Sequence, residues 1–397
     1  MVELVDDDDE IRPLLLHEAV RSNGDLSHAM KTDTSTLNTL DTSGFTPLHL
    51  ACLHNNFDAL EFLLRHRADV HRLDRQGETA LHMAAYRGLT HFASALLDAG
   101  SNINQRGKNG ETPLHKACRS RSLKDDSQIV EYLLGRGAEA SAVNDYSDTA
   151  LHILANQPGP SASVTRCADI CIRFGAWSVI DAQNHFGNTP LLKSLWEVNS
   201  SMVQILLDKG ARCDIVSHKG LNVLHAAGRI GSEEVINLLL SQSARIQGIE
   251  IRSRSIDGLT PIGELRRAIH RDRSNATEVG MVKDRNPTAG EIQAFEALLR
   301  NVRDGYIAAE VQELEEAIRD IRHDSTREAQ RCLQDMIRFK QKAGIDEETT
   351  ALQAVDDALY EEGLDGREKA VSTLRGIIEK ANRRIRLSPY EEEPEIG

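Results

Sequence analysis

Apolar residues along this chain arrive in short runs that come in pairs. Leu48-His49-Leu50-Ala51-Cys52-Leu53 is followed, after a polar step, by Ala59-Leu60-Glu61-Phe62-Leu63-Leu64. Turn formers precede each pair, as in Asp41-Thr42-Ser43-Gly44, Asp74-Arg75-Gln76-Gly77 and Lys108-Asn109-Gly110. Each pair closes on a step such as Ala68-Asp69-Val70, Gly137-Ala138 or Gly210-Ala211. The pattern predicts a turn followed by two short helices, repeated along the chain.

One phrase starts the first run of every unit. It reads Thr46-Pro47-Leu48-His49, Thr79-Ala80-Leu81-His82, Thr112-Pro113-Leu114-His115 and Thr149-Ala150-Leu151-His152, then decays through Thr189-Pro190-Leu191-Leu192, Asn222-Val223-Leu224-His225 and Thr260-Pro261-Ile262-Gly263. The steps are 33, 33, 37, 40, 33 and 38 residues. Threonine is a good N-cap and proline suits the first helical position, where its missing N–H costs nothing. Leucine then faces the core, and the histidine is placed to bond back to the threonine. A glycine upstream admits a backbone conformation that a β-carbon penalises. Ser147 stands where one such glycine is expected. A period in this range signals a stacked array of small units, none of which buries its apolar face alone.

These units resemble ankyrin repeats over roughly residues 11–303. The resemblance implies an all-α solenoid of helix-turn-helix units with β-turn fingers. A divergent N-terminal cap opens at Leu15-Leu16-His17-Glu18-Ala19-Val20, and six internal repeats begin near residues 41, 74, 107, 144, 184 and 217. A C-terminal cap from Ser255 has helices expected at 261–269 and 291–302, with an inserted polar loop over 271–290. Smaller insertions are expected around 119–126 and at Gln157-Pro158-Gly159-Pro160-Ser161.

Beyond Gly305 the repeat signal is gone, and 304–387 reads as a separate C-terminal helical region. No glycine or proline occurs from Tyr306 to Ala343, and Ile307, Val311, Leu314, Ile318 and Ile321 recur at steps of 4, 3, 4 and 3. That is an apolar helical stripe with heptad-like, coiled-coil character, too short to define a long coiled coil. Further helices are expected over 346–362 and 367–386. The stripe has three open uses: folding back over the end of the repeats, forming a homodimer, or docking a second partner. Residues 1–10 and 388–397 read as acidic disordered tails.

A formal net charge of −14 argues against direct nucleic-acid or anionic-membrane binding. The six cysteines are scattered and several occupy small core positions, which suits a reducing compartment. With no apolar run of membrane-spanning length and no basic-then-apolar start, a cytoplasmic or nuclear location is expected. Five of the fifteen histidines (49, 82, 115, 152 and 225) are repeat anchors. Cys167 and Cys171 lack a second pair at zinc-site spacing, and no phosphate-cradling loop, nucleophile elbow or paired-histidine metal helix occurs. No catalytic residue, cofactor or metal is expected, and the chain reads as a non-enzyme.

Ankyrin-type proteins bind partners through finger tips and inner helices, on the concave side. Carried onto this sequence, that layout selects Phe45, Tyr146 and Phe186 near finger tips. Tyr86 and Trp196 each lie seven residues after their unit's threonine, and His54, Arg75, Glu78, Arg87, Glu111 and Arg119 are the polar neighbours on the same side. The implied role is an interaction scaffold or adaptor. Alternatives are a nuclear transcriptional coregulator acting through a DNA-binding partner, or a substrate-recruiting subunit of a modifying enzyme.

Overall fold

The computed structural model describes residues 15–32, 34–120, 127–157, 161–242, 246, 249, 251–269, 287–322, 326–342, 346–360 and 364–385. Both acidic tails lie outside these residues, as do residues 121–126, 158–160 and most of the expected inserted loop. The described chain is helical, with one isolated antiparallel bridge between Val143 and Thr149 at the base of a finger. It falls into two compact units, residues 1–185 and 186–397.

The first unit is a stack of helix pairs. An N-terminal pair, α1 (Leu15–Ser22) and α2 (Leu26–Thr32), precedes α3 (Pro47–Leu53) and α4 (Phe57–Arg65). The pairs α5 (Ala80–Tyr86) and α6 (Thr90–Asp98), α7 (Pro113–Arg119) and α8 (Ser127–Gly135), and α9 (Ala150–Ala155) and α10 (Ala162–Arg173) follow. Every first helix begins one residue after the anchor. Thr46, Thr79, Thr112 and Thr149 are extended N-caps, and in the last three a capping box closes between threonine and histidine. The second helices bury one stripe, such as Leu60 and Leu63, Phe92 and Leu96, or Ile129 and Leu133.

Three of the first unit's fingers are stitched by their own first side chain, Asp41, Asp74 or Asn144, while Gly107 closes its finger with backbone bonds alone. Asp74 Oδ1 accepts from the backbone N–H groups of Gln76 and Glu78 (2.8 and 2.9 Å), and Asn144 Oδ1 accepts from Tyr146 and Asp148 (both 2.9 Å). Neighbouring fingers are joined by backbone bonds, Arg75 N–H donating to Gly44 O (2.9 Å) and Asp145 N–H to Asn109 O (2.8 Å). Gly44 combines a φ of +88° with so close an approach that a β-carbon would lie 2.4 Å from Cβ of Arg75. Ser147 does adopt the finger glycine's conformation, at φ +58°.

The second unit holds α11 (Pro190–Trp196) and α12 (Ser200–Asp208), α13 (Val223–Ile230) and α14 (Glu233–Ser241), and α15 (Pro261–Ile269). Among the described residues four longer helices follow: α16 (Ala289–Arg322), α17 (Thr326–Lys342), α18 (Asp346–Tyr360) and α19 (Leu364–Arg384). Here the structure departs from the expected helix at 291–302 and the separate start near 306. α16 begins earlier, at a capping box in which Thr288 N–H donates to Glu291 Oε2 (2.8 Å) and Glu291 N–H donates to Thr288 Oγ1 (3.2 Å). It then runs unbroken through Gly305. The expected uninterrupted segment to Ala343 is two helices, and His323-Asp324-Ser325 supplies cap-forming residue types between them.

The two halves of α16 do different jobs. Its first half buries Phe295, Leu298, Leu299 and Val302 and packs on α14 and α13. Its second half closes a four-helix bundle in which α16 meets α17, α17 meets α18, α18 meets α19, and α19 returns to α16. Leu314, Ile318 and Ile321 share that core with Leu333, Ile337, Leu352, Val355 and Leu374. Ile307 and Val311 pack with Tyr306 and Ala381. The predicted stripe is thus spent inside the chain.

Candidate functional site

The anchor histidines are internal struts. His49 Nδ1 lies 2.8 Å from Thr46 Oγ1, and its Nε2 lies 2.9 Å from Glu78 O in the next repeat. His82 repeats the arrangement with Thr79 Oγ1 (2.8 Å) and Glu111 O (3.1 Å), and His115 with Thr112 Oγ1 (2.9 Å) and Asp148 O (3.1 Å). A neutral imidazole with its proton on Nε2 donates to the carbonyl and accepts the threonine hydroxyl proton, so one tautomer satisfies every contact. Burial pushes His49 and His115 below the ordinary imidazole range and His82 down to about 4, outweighing the backbone bonds that favour the charged form. Sequence reading anticipated the bond to threonine and missed the reach to the following repeat.

The residues around these struts make up the candidate site. Glu78 and Glu111 each sit directly before an anchor threonine, and both are buried. The Lys116 ammonium pairs with Glu78 and lies 3.2 Å from Glu111, which also pairs with Arg119. Both glutamates, expected as solvent-facing contacts, are therefore held inside an ion-pair network linking two repeats. Lys116 was not among the expected residues. Its signal was available in sequence, since it follows His115 and faces an acid from each of two units.

The other candidates divide by exposure. Tyr86 and Arg87 are exposed at the end of α5, Arg75 is exposed beside Gly44, and His54 is exposed just past α3. Arg119 is exposed while bonded to Glu111. Phe45 is half-buried, its ring centroid 6.5 Å from that of His49, so it contributes to finger packing. Tyr146 is 47% exposed on its finger. In the second unit Phe186 is 63% exposed, whereas Trp196 is half-buried under the Arg229 guanidinium, 5.6 Å from its ring centroid. The structure brings Arg75, Glu78, Tyr86, Arg87, Glu111 and Arg119 onto two adjoining repeats of the first unit. Trp177, 68% exposed after α10, was passed over because it lies outside the finger and inner-helix positions.

Cys167 and Cys171 are both buried on α10. Among the described residues no group of three His, Cys, Asp or Glu is placed to hold a metal ion. No described helix is long and apolar enough to cross a membrane.

A family model described as ankyrin repeats (three copies) matches residues 16–107 and 93–165. NF-kappa-B inhibitor delta of Mus musculus is 28% identical over 121 residues, covering 30% of this chain. The alignment spans 35% of that relative, about a third of its length.

Proposed function

We propose, from the premise that this chain belongs to the ankyrin-repeat family, that it is an adaptor whose first three finger-bearing repeats dock a partner protein. One observation carries the reading. On these repeats the threonine and histidine anchors are wholly internal, while Tyr86, 42% exposed at the end of α5, is followed by exposed Arg87, and Arg75 and His54 are exposed on the same and the preceding repeat. An exposed aromatic among polar groups on a preorganised scaffold is the usual core of a protein-binding hot spot. The mechanism is surface complementarity presented by stacked repeats, with the side chains free of the anchor chemistry as contacts.

Tyr86→Ala together with His54→Ala tests this directly. Proximity labelling and affinity purification of the full chain should lose the partner set, while the thermal midpoint stays near wild type. An unchanged partner set would reject the surface. A second reading, a regulator that restrains the protein it binds, is supported by the alignment with a relative named as an inhibitor. We place the chain in the cytosol or nucleus on its charge and cysteine usage; imaging of a tagged full-length chain decides between the two.

A further inference from the structure

The charges on the docking repeats are sorted by burial. The fingers and inner helices of the first three finger-bearing repeats (41–54, 74–87 and 107–120) carry four acids: Asp41, Asp74, Glu78 and Glu111. All four are buried. Asp41 pairs with Arg21 and accepts from Phe45 N–H, Asp74 is spent on its finger's backbone, and the two glutamates are held by Lys116 and Arg119. The same segments carry five cations. Lys116 is half-buried in the network, and Arg75, Arg87, Lys108 and Arg119 are exposed. Among the described residues no carboxylate pairs with Arg75, Arg87 or Lys108. Lys108 reaches only a neutral group, Gln76 Oε1 at 3.2 Å.

Every exposed Lys, Arg, Asp or Glu on this face is therefore basic, in a chain whose formal net charge is −14. Of the acids elsewhere in the same repeats, Asp58, Glu61, Asp98 and Glu131 sit on the outer helices. The inner helices of the same repeats also carry exposed Tyr86 and half-buried Met83 and Leu53. We infer that this face takes an acidic, extended peptide segment of a partner protein, its carboxylates on Arg75, Arg87 and Lys108 and an apolar side chain against Tyr86 and Met83. The inference rests on the docking reading above and adds the partner's chemistry. Arginine suits carboxylate through paired N–H donors. The apolar side chains on the same helices favour a peptide, which brings apolar groups of its own, over a nucleic-acid backbone.

Fluorescence anisotropy on the full chain tests it, with a labelled peptide of alternating Glu and Leu as the probe. A Lys/Leu peptide of equal length and a labelled oligothymidylate serve as controls. The Glu/Leu probe should bind and weaken as salt is raised. Its affinity should fall about tenfold or more in the triple variant Arg75→Glu, Arg87→Glu, Lys108→Glu, and by less in the triple Gln variant. Equal binding of the Lys/Leu peptide, or an affinity unmoved by charge reversal, would overturn the inference. Oligothymidylate binding as tight as the Glu/Leu peptide would overturn it too, by assigning the face to polyanions in general. The two readings fail separately. Partners lost with Tyr86→Ala and His54→Ala but kept by the charge-reversed chain would sink the acidic segment and leave the docking surface standing.

Discussion

At the scale of single residues, the anchor histidines act through their neutral form. His82 and His225 are held at about 4 by burial, against an ordinary value of 6.5. In the unfolded chain each protonates near 6.5, while in the folded chain it resists until about 4. Stability is therefore intact above 6.5 and is lost as pH falls from 6.5 to about 4, by about 1.4 kcal/mol per pH unit for each such histidine. A thermal-melt series should show the midpoint dropping across that window, and His82→Gln should flatten the slope. The anchor at Asn222 is chemically mismatched. Its Oδ1 accepts from the N–H groups of Leu224 and His225, both at 3.1 Å, which identifies it as the oxygen, yet it lies 2.7 Å from Nδ1 of His225. His225 Nε2 is meanwhile 3.2 Å from Leu259 O. A neutral ring has one N–H for two acceptors, a conflict that a threonine hydroxyl avoids by donating. Asn222→Thr should raise stability by about 1 kcal/mol, reduced by loss of the 3.1 Å bond from Asn222 Nδ2 to Ser253 Oγ, as chemical denaturation would measure.

At the scale of elements, α16 is the piece on which the second unit's construction depends. Arg303, fully buried near its midpoint, donates to Asp304 Oδ1 (2.9 Å) and to the carbonyl of Ile385 at the end of α19 (3.1 Å). Two residues on, Gly305→Pro would remove a ladder bond and clash with the preceding turn, costing about 3 kcal/mol or more. Circular dichroism and denaturation should show that loss, with Gly305→Ala as the control that keeps the helical backbone intact. The helix starts of the repeats were legible in sequence because each is specified within a few residues, by a threonine or asparagine cap and the residue after it. The continuity of α16 was not. A glycine lowers helix propensity by only about 1 kcal/mol, and buried Phe295, Leu299 and Ile307 on either side override it. The fate of Glu78 was hidden for a related reason. Its position before Thr79 is readable, but Lys116, which covers it, comes from the next repeat, and nothing local says that the carboxylate turns inward.

At the scale of the whole chain, the C-terminal helices had three uses open to them, and packing within the second unit consumes the surface that two of these uses require. A ring of ionic contacts adds to the apolar core. Lys340, itself buried, lies 2.8 Å from Glu310 and 2.6 Å from Glu348, and Glu348 also meets Arg252 (3.0 Å) and Arg384 (3.5 Å). Burial alone would push the Glu348 carboxyl up, yet Lys340, Arg252 and Arg384 together hold it down at about 2. Arg252 comes from the last repeat, so this network ties the bundle to the repeats of its own unit. Its contribution is present above the ordinary carboxylate value of 4.5 and fades as pH falls toward about 2, a window below that of the histidines. Dimerisation through Leu314, Ile318 and Ile321 would have to expose a core already closed by α17, α18 and α19, at about 25 cal/mol for each Å² of apolar surface returned to water. Sedimentation of the full chain near neutral pH should therefore give the mass of one chain across a wide concentration range. A concentration-dependent shift to twice that mass, abolished by Ile318→Glu in a chain that still folds, would show that the stripe serves a second copy after all.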